Sequence, residues 1–427
     1  MVRHEARLAE GQPGQVAPLS TGLTSAQARL LLSDEGRAAV AFAATLELAP
    51  ADRLRAAEAV RPLGPELGPL ALEQAVLRRR ALAKHPAGDR LWWTAEALEQ
   101  SSSHVVAAHR TRRYADGARV LDLCCSVGGD LLALAARGPA TGVDLDEARL
   151  LLAAANAEEL GLAVSLVRAD VTRLVLPGGA DVFVDPARRS GGRRLLDPRS
   201  AVPGLGLVLS WLPGLRSLGV KTAPGLDHEA LPAGLEVELV SLRGEVKEAV
   251  LWGGEARRGA RRSATLLPAG AVLTDEPCPP PTVRPPGRFL LEPDGAVIRA
   301  HLVAQVAARV GGWLLDPTIA YLSADEAEPT PYGVWFEVLE VLPFGLRALR
   351  ERLRAHDAGP LVVKKRGTAV LPEELRRRLH LTGSREVTVV LTRQAGRQVA
   401  LIVRPAPAVR AVPPWPVSDG PAGPAPG

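Results

Sequence analysis

The spacing of apolar residues divides the chain into a helical part, a part where strands and helices alternate, and a mixed part. Ala-Leu-Arg runs at residues 26–32 and 72–82 have helical spacing and predict helices between residues 23 and 115. A further helix is predicted over residues 95–114, with Thr94 as its N-cap residue. Residues 23–115 are therefore expected to form a helical region.

The pattern changes at about residue 116, where short apolar runs begin to alternate with helical stretches. The predicted strands are residues 119–124, 140–143, 163–167 and 181–184, followed by 215–220, 235–241 and 248–252. Strands that alternate with helices through short connections are typical of a parallel sheet with helices on both faces. We therefore interpret residues 116–275 as a doubly wound α/β domain.

A Pro-rich segment separates this domain from a second region of mixed pattern. Residues 276–288 (EPCPPPTVRPPGR) are the predicted linker, and residues 289–404 the predicted α+β region. Its predicted elements are strands at 334–342 and 361–364, helices at 297–310, 346–355 and 372–379, and a hairpin of 386–392 with 398–404. The polar N-terminus (1–22) and the tail rich in Pro, Ala and Gly (405–427) are expected to be flexible or disordered.

Composition narrows the possible classes of protein. The chain has 47 arginines and only five lysines, so a single arginine is weak evidence of a site, and the net charge of +5 permits a polyanionic partner without requiring one. Its three cysteines form no CxxC pair, and no HExxH motif or long apolar run is present. We expect a cytoplasmic protein with no metal site and no membrane span, and its oligomeric state stays open.

The connection after the first predicted strand carries the clearest chemical signal. Residues 120–130 (VLDLCCSVGGD) lead from a strand through small residues into a helix, so backbone amides can approach a ligand closely. A dinucleotide site would need GxGxxG, whereas only Gly128 and Gly129 occur here. Asp122 at the strand end would repel a pyrophosphate but suits a ligand that carries an ammonium group.

One acidic residue also follows each of the next three strands. Asp144 is placed to hold ribose hydroxyls, Asp170 can accept a hydrogen bond from an adenine amine, and Asp185 with Pro186 closes the fourth strand. Ligands of open α/β sheets bind at these carboxyl ends. The alternative is an α/β domain whose strand ends merely carry solvated acids.

These motifs resemble those of class I S-adenosylmethionine-dependent methyltransferases. Residues 122–130 are similar to the first motif of that class, Asp144 to the second, Asp170 to the third and residues 185–188 to the fourth. Residues 292–300, 319–322, 363–367 and 389–393 look like a bacterial family that ends in a THUMP-like domain. The resemblance covers about residues 70–404.

The resemblance implies a Rossmann-like methyltransferase domain over 116–275 and a THUMP-like domain over about 320–404. It also implies S-adenosyl-L-methionine as the cofactor, with Asp144 on the ribose and Asp170 on the adenine. The methionine moiety would be bound by the segment from Asp122 to Gly128, whose candidate residues are Asp122, Cys124, Ser126 and Gly128.

The candidate catalytic residues are Asp185, Pro186 and Lys221. Asp185 would orient the acceptor or remove its proton, Pro186 would stiffen the turn, and Lys221 follows the fifth strand. Methyltransferases that act on exocyclic amines usually carry Asn/Asp-Pro-Pro-aromatic at the fourth motif. Here the segment is Asp-Pro-Ala-Arg, so the resemblance does not extend to the aromatic ring that stacks on a base.

Two basic clusters favour an RNA substrate. The first follows Pro186, and the second lies in residues 360–404, where ten basic and three acidic residues give a net charge of +7. The candidate substrate-binding residues are Arg188, Arg189, Arg193, Arg194, Lys364, Lys365 and Arg366. The alternatives are a methyltransferase of a small metabolite, with the C-terminal domain as a lid, and a protein that binds cofactor or RNA without catalysis.

Overall fold

In the computed structural model the chain forms two large sheets flanked by helices. The structure describes residues 22–186, 202–229 and 231–406, together with the backbone of 189–190 and 193–194. Residues 1–21 and 407–427, for which the sequence predicts flexibility, lie outside the described part of the chain. Within that part, no helix is long and apolar enough to cross a membrane.

The N-terminal region is helical. Its helices are α1 (Ser25–Leu32), α2 (Asp34–Ala44), α3 (Arg53–Val60), α4 (Leu67–Ala81), α5 (Ala95–Gln100) and α6 (His104–Thr111). Thr24 begins α1 with a capping box, in which its hydroxyl accepts from the amide of Gln27. Apolar side chains of α1, α2 and α4 share one buried cluster with Trp92 and with a helix of the following domain.

The single helix predicted over residues 95–114 is wrong, because α5 and α6 are separate. Thr94 does cap α5, as predicted, by accepting from the amide of Ala97 at 3.1 Å. The helix ends at three consecutive serines, and the Ser101 hydroxyl donates to the carbonyl of Leu98 at 3.2 Å. Serine hydroxyls that bond to nearby backbone groups compete with helix continuation. The break places the end of α5 beside the carboxyl ends of the strands.

The central domain contains a sheet of nine strands. In chain order its strands are β1 (Val120–Leu123), β2 (Ala140–Asp144), β3 (Val164–Arg168) and β4 (Asp181–Val184), then, after a short hairpin of β5 (Arg189–Ser190) and β6 (Arg193–Arg194), β7 (Ser217–Thr222), β8 (Glu236–Leu242), β9 (Glu245–Gly254), β10 (Arg262–Leu267) and β11 (Ala271–Thr274). The helices are α7 (Leu131–Ala135), α8 (Glu147–Glu159) and α9 (Leu205–Ser210). The strand order is β11-β10-β8-β9-β7-β4-β1-β2-β3.

The topology brings the predicted site residues to one edge. Strands β3, β2, β1, β4 and β7 are parallel neighbours, whereas β9 is antiparallel to both β7 and β8. The order reverses at β1, since the chain moves outward through β2 and β3 and then returns to β4. Ligands of open α/β sheets bind at the carboxyl ends next to such a reversal.

The C-terminal region forms a second sheet of seven strands. Its elements are β12 (Phe289–Pro293), α10 (Gly295–Arg299), α11 (Val303–Arg309), β13 (Trp313–Leu314), β14 (Leu322–Ala324), β15 (Gly333–Pro343), α12 (Leu346–Ala355), β16 (Ala358–Lys365), α13 (Pro372–Leu379), β17 (Arg385–Gln394) and β18 (Arg397–Pro405). The order is β13-β14-β12-β15-β18-β17-β16. Helices α12 and α13 pack on this sheet through one apolar cluster.

The segment predicted as a linker lies against the second sheet. The amide of Arg284 donates to the carbonyl of Leu314 at 3.0 Å, and its guanidinium lies 3.9 Å from the ring centre of Trp313. One buried cluster joins side chains on both sides of the segment, from Leu123 of β1 to Trp335 of β15. The first sheet and the start of the second region therefore share a continuous core.

Candidate functional site

A cavity of about 460 Å³ lies at the carboxyl edge of the first sheet. Such a volume is within the range of small-molecule sites. The predicted residues that line it are Asp122, Cys124, Ser126, Asp144, Asp170, Asp185, Pro186 and Lys221. Gly128 lies in the same loop but its atoms are not part of this lining. The structure thus brings together residues from five strand ends that are separated by up to about a hundred positions.

The loop after β1 turns sharply over the sheet. Cys124, Ser126 and Gly128 all have positive φ angles, of 64°, 51° and 95°. Two of them are not glycine, and such residues are uncommon in this region of backbone space. The amide of Cys125 donates to the carbonyl of Val143 at 3.1 Å, which holds the loop on β2. The loop therefore keeps a bend that exposes its backbone to the cavity.

The two cysteines of this loop are not poised as nucleophiles. Burial raises the pKa of both thiols well above the usual value, and the nearby acids Asp144 and Asp122 raise it further. A thiol that stays protonated is a poor nucleophile. Cys124 and Cys125 therefore shape the loop and do not carry the transferred group.

Asp122 is the most unusual side chain of the site. It is 1% exposed, and neither carboxylate oxygen has a hydrogen-bond partner among the described residues. Burial raises its pKa well above the usual range, and the charges of Asp130 and Asp185 raise it further. A buried carboxyl group without a partner favours a ligand that brings a positive charge.

Arg110 organises the acids next to Asp122 and was not predicted from the sequence. It is almost fully buried and forms ion pairs with both Asp130 and Glu248. The neighbouring Ser102 hydroxyl donates to Glu248 at 3.2 Å. This arrangement leaves Asp130 compensated by a cation, in contrast to Asp122. No local pattern signals Arg110, because its partners are 20 and 138 positions away.

Asp144 and Asp170 each accept backbone hydrogen bonds at the end of their strand. Asp144 accepts from the amides of Ser126 and Asp146, both at 2.9 Å, so it also fixes the loop after β1. Asp170 accepts from the amide and the hydroxyl of Thr172, and these bonds lower its pKa. Both carboxylates are partly exposed and line the cavity.

Asp185 and Lys221 form an ion pair at the far side of the cavity. Val184 and Val220 are register partners in the parallel pair β4–β7, so the residues that follow them are neighbours. The Nζ atom of Lys221 donates to an oxygen of Asp185 at 2.6 Å, and the lysine side chain is only 8% exposed. The carboxylate of Asp185 is therefore held by a buried cation of the neighbouring strand.

The predicted substrate-binding residues do not line this cavity within the described part of the chain. Arg188 lies outside the described residues, and only the backbone of Arg189, Arg193 and Arg194 is described, in the hairpin β5–β6.

On the second sheet, Lys364 and Arg366 lie 2.6 and 3.7 Å from the Glu292 carboxylate. Lys365 donates to the carbonyl of Val370 at 3.0 Å and is exposed. Two of these three charges are therefore compensated within the protein.

Comparisons with known proteins agree with this arrangement. Family models match residues 120–185 as a methyltransferase domain, 333–405 as a THUMP-like domain and 24–81 as a domain of unknown function. The chain is 45% identical over 338 residues to uncharacterized S-adenosylmethionine-dependent methyltransferases of two Mycobacterium tuberculosis strains, CDC 1551 and H37Rv, and the alignment covers 76% of this chain and 92% of theirs. The chain belongs to the S-adenosylmethionine-dependent methyltransferases.

A solved structure supports the same fold for this methyltransferase. The crystal structure of a proposed methyltransferase from Porphyromonas gingivalis W83 superimposes with a TM-score of 0.66 at 23% identity, over 81% of this chain and 92% of that chain. Together with the matches to the family models, this similarity confirms the class I methyltransferase fold and the C-terminal THUMP-like domain that the sequence predicts.

The residues of the cavity fit S-adenosyl-L-methionine, the cofactor of this family. The cofactor carries an ammonium and a sulfonium, and the uncompensated carboxyl of Asp122 is the matching buried group. When bound, the cofactor supplies a methyl group that is already activated by the positive sulfur. The protein therefore has to bind the cofactor, orient the acceptor towards the methyl group and exclude water.

Proposed function

We propose that this methyltransferase acts on RNA and that its THUMP-like domain binds the substrate. The observation that carries the proposal is the charge of residues 333–405, which contain 14 basic and seven acidic residues. The rest of the chain is close to neutral, since the whole protein has a net charge of +5. Clustered positive charge is the electrostatic footprint of nucleic-acid binding, and the likeness to THUMP domains implies RNA.

Within the cavity, we assign one part of the cofactor to each strand end. Asp122 binds the ammonium of the methionine moiety, and the loop containing Cys124 and Ser126 encloses it. Asp144 accepts from the ribose hydroxyls, and Asp170 accepts from the adenine amine. Each assignment matches a carboxylate with free acceptor capacity to a donor of the cofactor.

We assign the acceptor side of the cavity to Asp185, Pro186 and Lys221. Asp185 orients the acceptor and removes its proton, and the buried ammonium of Lys221 holds one oxygen of Asp185 in place. Pro186 restricts the turn that places the carboxylate. Arg188, Arg189, Arg193 and Arg194 follow directly in the chain and are our candidates for contacts with RNA phosphates.

Replacing Asp144 by Asn is expected to weaken cofactor binding while the protein stays folded. Asn keeps one oxygen for the loop amide but loses the charge that strengthens two hydrogen bonds to the ribose. Each such bond contributes about 1.5–3 kcal/mol. Titration calorimetry with S-adenosyl-L-methionine measures the loss. The control is Asp146→Asn, two residues further along, where Asn can still cap α8; unchanged affinity of the Asp144 variant would contradict the ribose assignment.

The RNA proposal is tested by reversing exposed charge on the THUMP-like domain. We choose Arg347, Arg354 and Arg377 on α12 and α13, because all three are exposed and form no ion pair within the described structure. Changing them to Glu should weaken binding of total bacterial RNA to the full-length enzyme and flatten its dependence on salt concentration. Cofactor affinity should not change. The readouts are filter binding at several salt concentrations and tritium transfer from methyl-labelled cofactor into RNA.

The matched control makes the same charge change on the N-terminal helices. Arg53, Arg55 and Arg61 are also exposed and form no ion pair in the described part of the chain, so their reversal alters net charge equally. Equal loss of RNA binding in both triple variants would show a general charge effect. Unaffected RNA methylation in the α12–α13 variant would contradict the role of the THUMP-like domain in substrate binding. Absence of transfer into RNA by the wild-type enzyme would favour a small metabolite, which the compensation of Lys364 and Arg366 by Glu292 also supports.

A further inference from the structure

Three of the five lysines of this chain lie around the acceptor side of the cavity. Lys221 and Lys247 line it, and both lower the pKa of Lys84, after the larger effect of burial. The chain otherwise uses arginine, with 47 copies. A compact ammonium and a planar guanidinium differ in the geometry of their donors. We infer that Lys84, Lys221 and Lys247 lie at positions where an ammonium group fits its acceptors better than a guanidinium group would.

Lys84 shows such a requirement in its contacts. Its Nζ atom donates to the carbonyl oxygens of Leu98 at 2.6 Å, Glu99 at 3.0 Å and Ser101 at 2.8 Å. These carbonyls belong to the end of α5, where the unpaired carbonyls of a helix carry partial negative charge. Three donors on one atom can converge on a single turn in this way, whereas the donors of a guanidinium diverge in a plane.

The carbonyl of Gln100 is the one in this turn that Lys84 does not bind. It lies 3.5 Å from the Nζ atom of Lys221, a long contact for a hydrogen bond. On its other side the same Nζ atom contacts one oxygen of Asp185 at 2.6 Å. The second oxygen of Asp185 has no hydrogen-bond partner among the described residues. The Gln100 carbonyl oxygen and one Asp185 oxygen, which belong to different elements, therefore both lie next to the donating Nζ atom of Lys221.

We propose that the Gln100 carbonyl and the second oxygen of Asp185 bind the two N–H groups of an amino group on the substrate, so that the methyl acceptor is an amine nitrogen. Lys221 stays paired with the other oxygen of Asp185. Lys84 is the positioning residue, because it fixes the turn that presents the Gln100 carbonyl. The identity of the acceptor molecule rests on the proposed function.

Two acceptors on the N–H groups orient the nitrogen lone pair, which must point at the methyl carbon. The nitrogen forms a bond to this carbon as the carbon–sulfur bond breaks and its electron pair stays on sulfur. The nitrogen then carries the positive charge and loses one proton to the Asp185 carboxylate. Charge and atoms balance without a further reactant.

The role of Lys84 in positioning the Gln100 carbonyl is tested with Lys84→Arg and Lys84→Met in the full-length enzyme. Both variants should lower the rate of tritium transfer at saturating cofactor at least tenfold, while cofactor affinity stays within twofold of the wild-type value. Lys84→Arg should not rescue the rate, although it keeps the charge. A wild-type rate in Lys84→Arg would overturn the role.

The control is Arg79→Met. Arg79 donates to the carbonyls of Ala44, the last residue of α2, and of Leu46, at 3.1 and 2.7 Å, so it makes the same type of contact away from the cavity. Its loss should lower the melting temperature without changing the transfer rate. If the Lys84 variants and Arg79→Met lose rate in proportion to their melting temperatures, Lys84 is only structural and the positional role is overturned.

The class of acceptor is tested by locating the methyl group. The wild-type enzyme and methyl-labelled cofactor are incubated in one reaction with deproteinised total RNA and in a second reaction with a small-molecule extract. The products are then hydrolysed and analysed by mass spectrometry. Methyl on an amine nitrogen of an RNA base supports both this inference and the proposed function. An N-methyl product in the small-molecule extract alone overturns the RNA proposal and supports this inference. Methyl on carbon or oxygen overturns this inference, and no transfer to either fraction overturns both.

Discussion

Replacing Asp122 by Asn is expected to stabilise the cofactor-free enzyme at neutral and alkaline pH while it removes most of the affinity for S-adenosyl-L-methionine. The carboxyl of Asp122 is buried without a hydrogen-bond partner among the described residues, and its pKa is raised mainly by burial. Asn resembles the protonated carboxyl in shape and carries no charge. Loss of a buried charged partner of the cofactor ammonium should cost about 2–5 kcal/mol of binding free energy.

The pH dependence of this effect has a definite sign. Because the pKa of Asp122 is higher in the folded than in the unfolded state, its contribution to stability is fully present below the unfolded pKa and is lost as pH rises towards the folded pKa. In that range the folded state binds one more proton, so the free energy of unfolding of the wild type falls by about 1.4 kcal/mol per pH unit from this group. The difference between Asp122→Asn and the wild type should be absent near pH 4 and grow with pH.

The same reasoning predicts that cofactor binding releases a proton from the wild-type enzyme. The ammonium of the ligand favours the carboxylate form of Asp122 and so displaces its proton. Calorimetry in two buffers with different ionisation enthalpies measures this release, and Asp122→Asn should abolish it. Asp146→Asn is the control, because that residue caps α8 and does not line the cavity. Stability curves of Asp122→Asn and wild type that stay parallel across pH would contradict the assigned state of Asp122.

The part of the site that could be predicted from the sequence is the part built by strand ends. Asp122, Asp144, Asp170 and Asp185 each follow a short apolar run, and a parallel sheet brings such ends to one edge whatever the lengths of the connections. Their side chains line one cavity as expected. Their roles towards the cofactor remain predictions, since they depend on contacts with a bound molecule.

The part that could not be predicted comes from contacts between distant elements. Lys84 follows α4 in a turn, and nothing near it indicates that its ammonium binds the end of α5. Gln100 lies inside what reads as a continuous helix, and only the serines after it end α5. In the second sheet, the pairing of Lys364 with Glu292 joins residues 72 positions apart, so a run of three basic residues appeared more available than it is.

The Pro-rich segment 276–288 is predicted to be a linker from its composition, but part of it pairs with the second sheet. Proline lacks a donor, so such segments are usually interpreted as connections without regular partners. Here the Arg284 amide and the Thr282 carbonyl pair with the backbone of Leu314 in β13, and the Pro285 carbonyl accepts from the Trp313 indole. Pairing of this kind depends on a strand that forms about 30 positions later, which local composition does not contain.

Replacing Asp185 by Asn is expected to abolish most methyl transfer and leave cofactor binding almost unchanged. Asp185 lines the acceptor side of the cavity, and its carboxylate is held by the buried Lys221 at 2.6 Å. An amide in its place cannot remove a proton, and loss of a general base typically lowers the rate about 10²–10⁴-fold. Tritium transfer at saturating cofactor measures the rate, and calorimetry measures cofactor affinity.

The control for Asp185 lies at the other end of the same strand. Asp181 is only 2% exposed and forms an ion pair with Arg216. Asp181→Asn should therefore lower the melting temperature without a comparable loss of rate. A double variant with Lys221→Met adds a further criterion. If Lys221 acts only by holding the Asp185 carboxylate in place, the double variant should be no slower than Asp185→Asn alone, because residues that act as one unit are not additive. Near wild-type transfer by Asp185→Asn would instead make the ion pair a structural contact between β4 and β7, and the proton would then leave the acceptor to water.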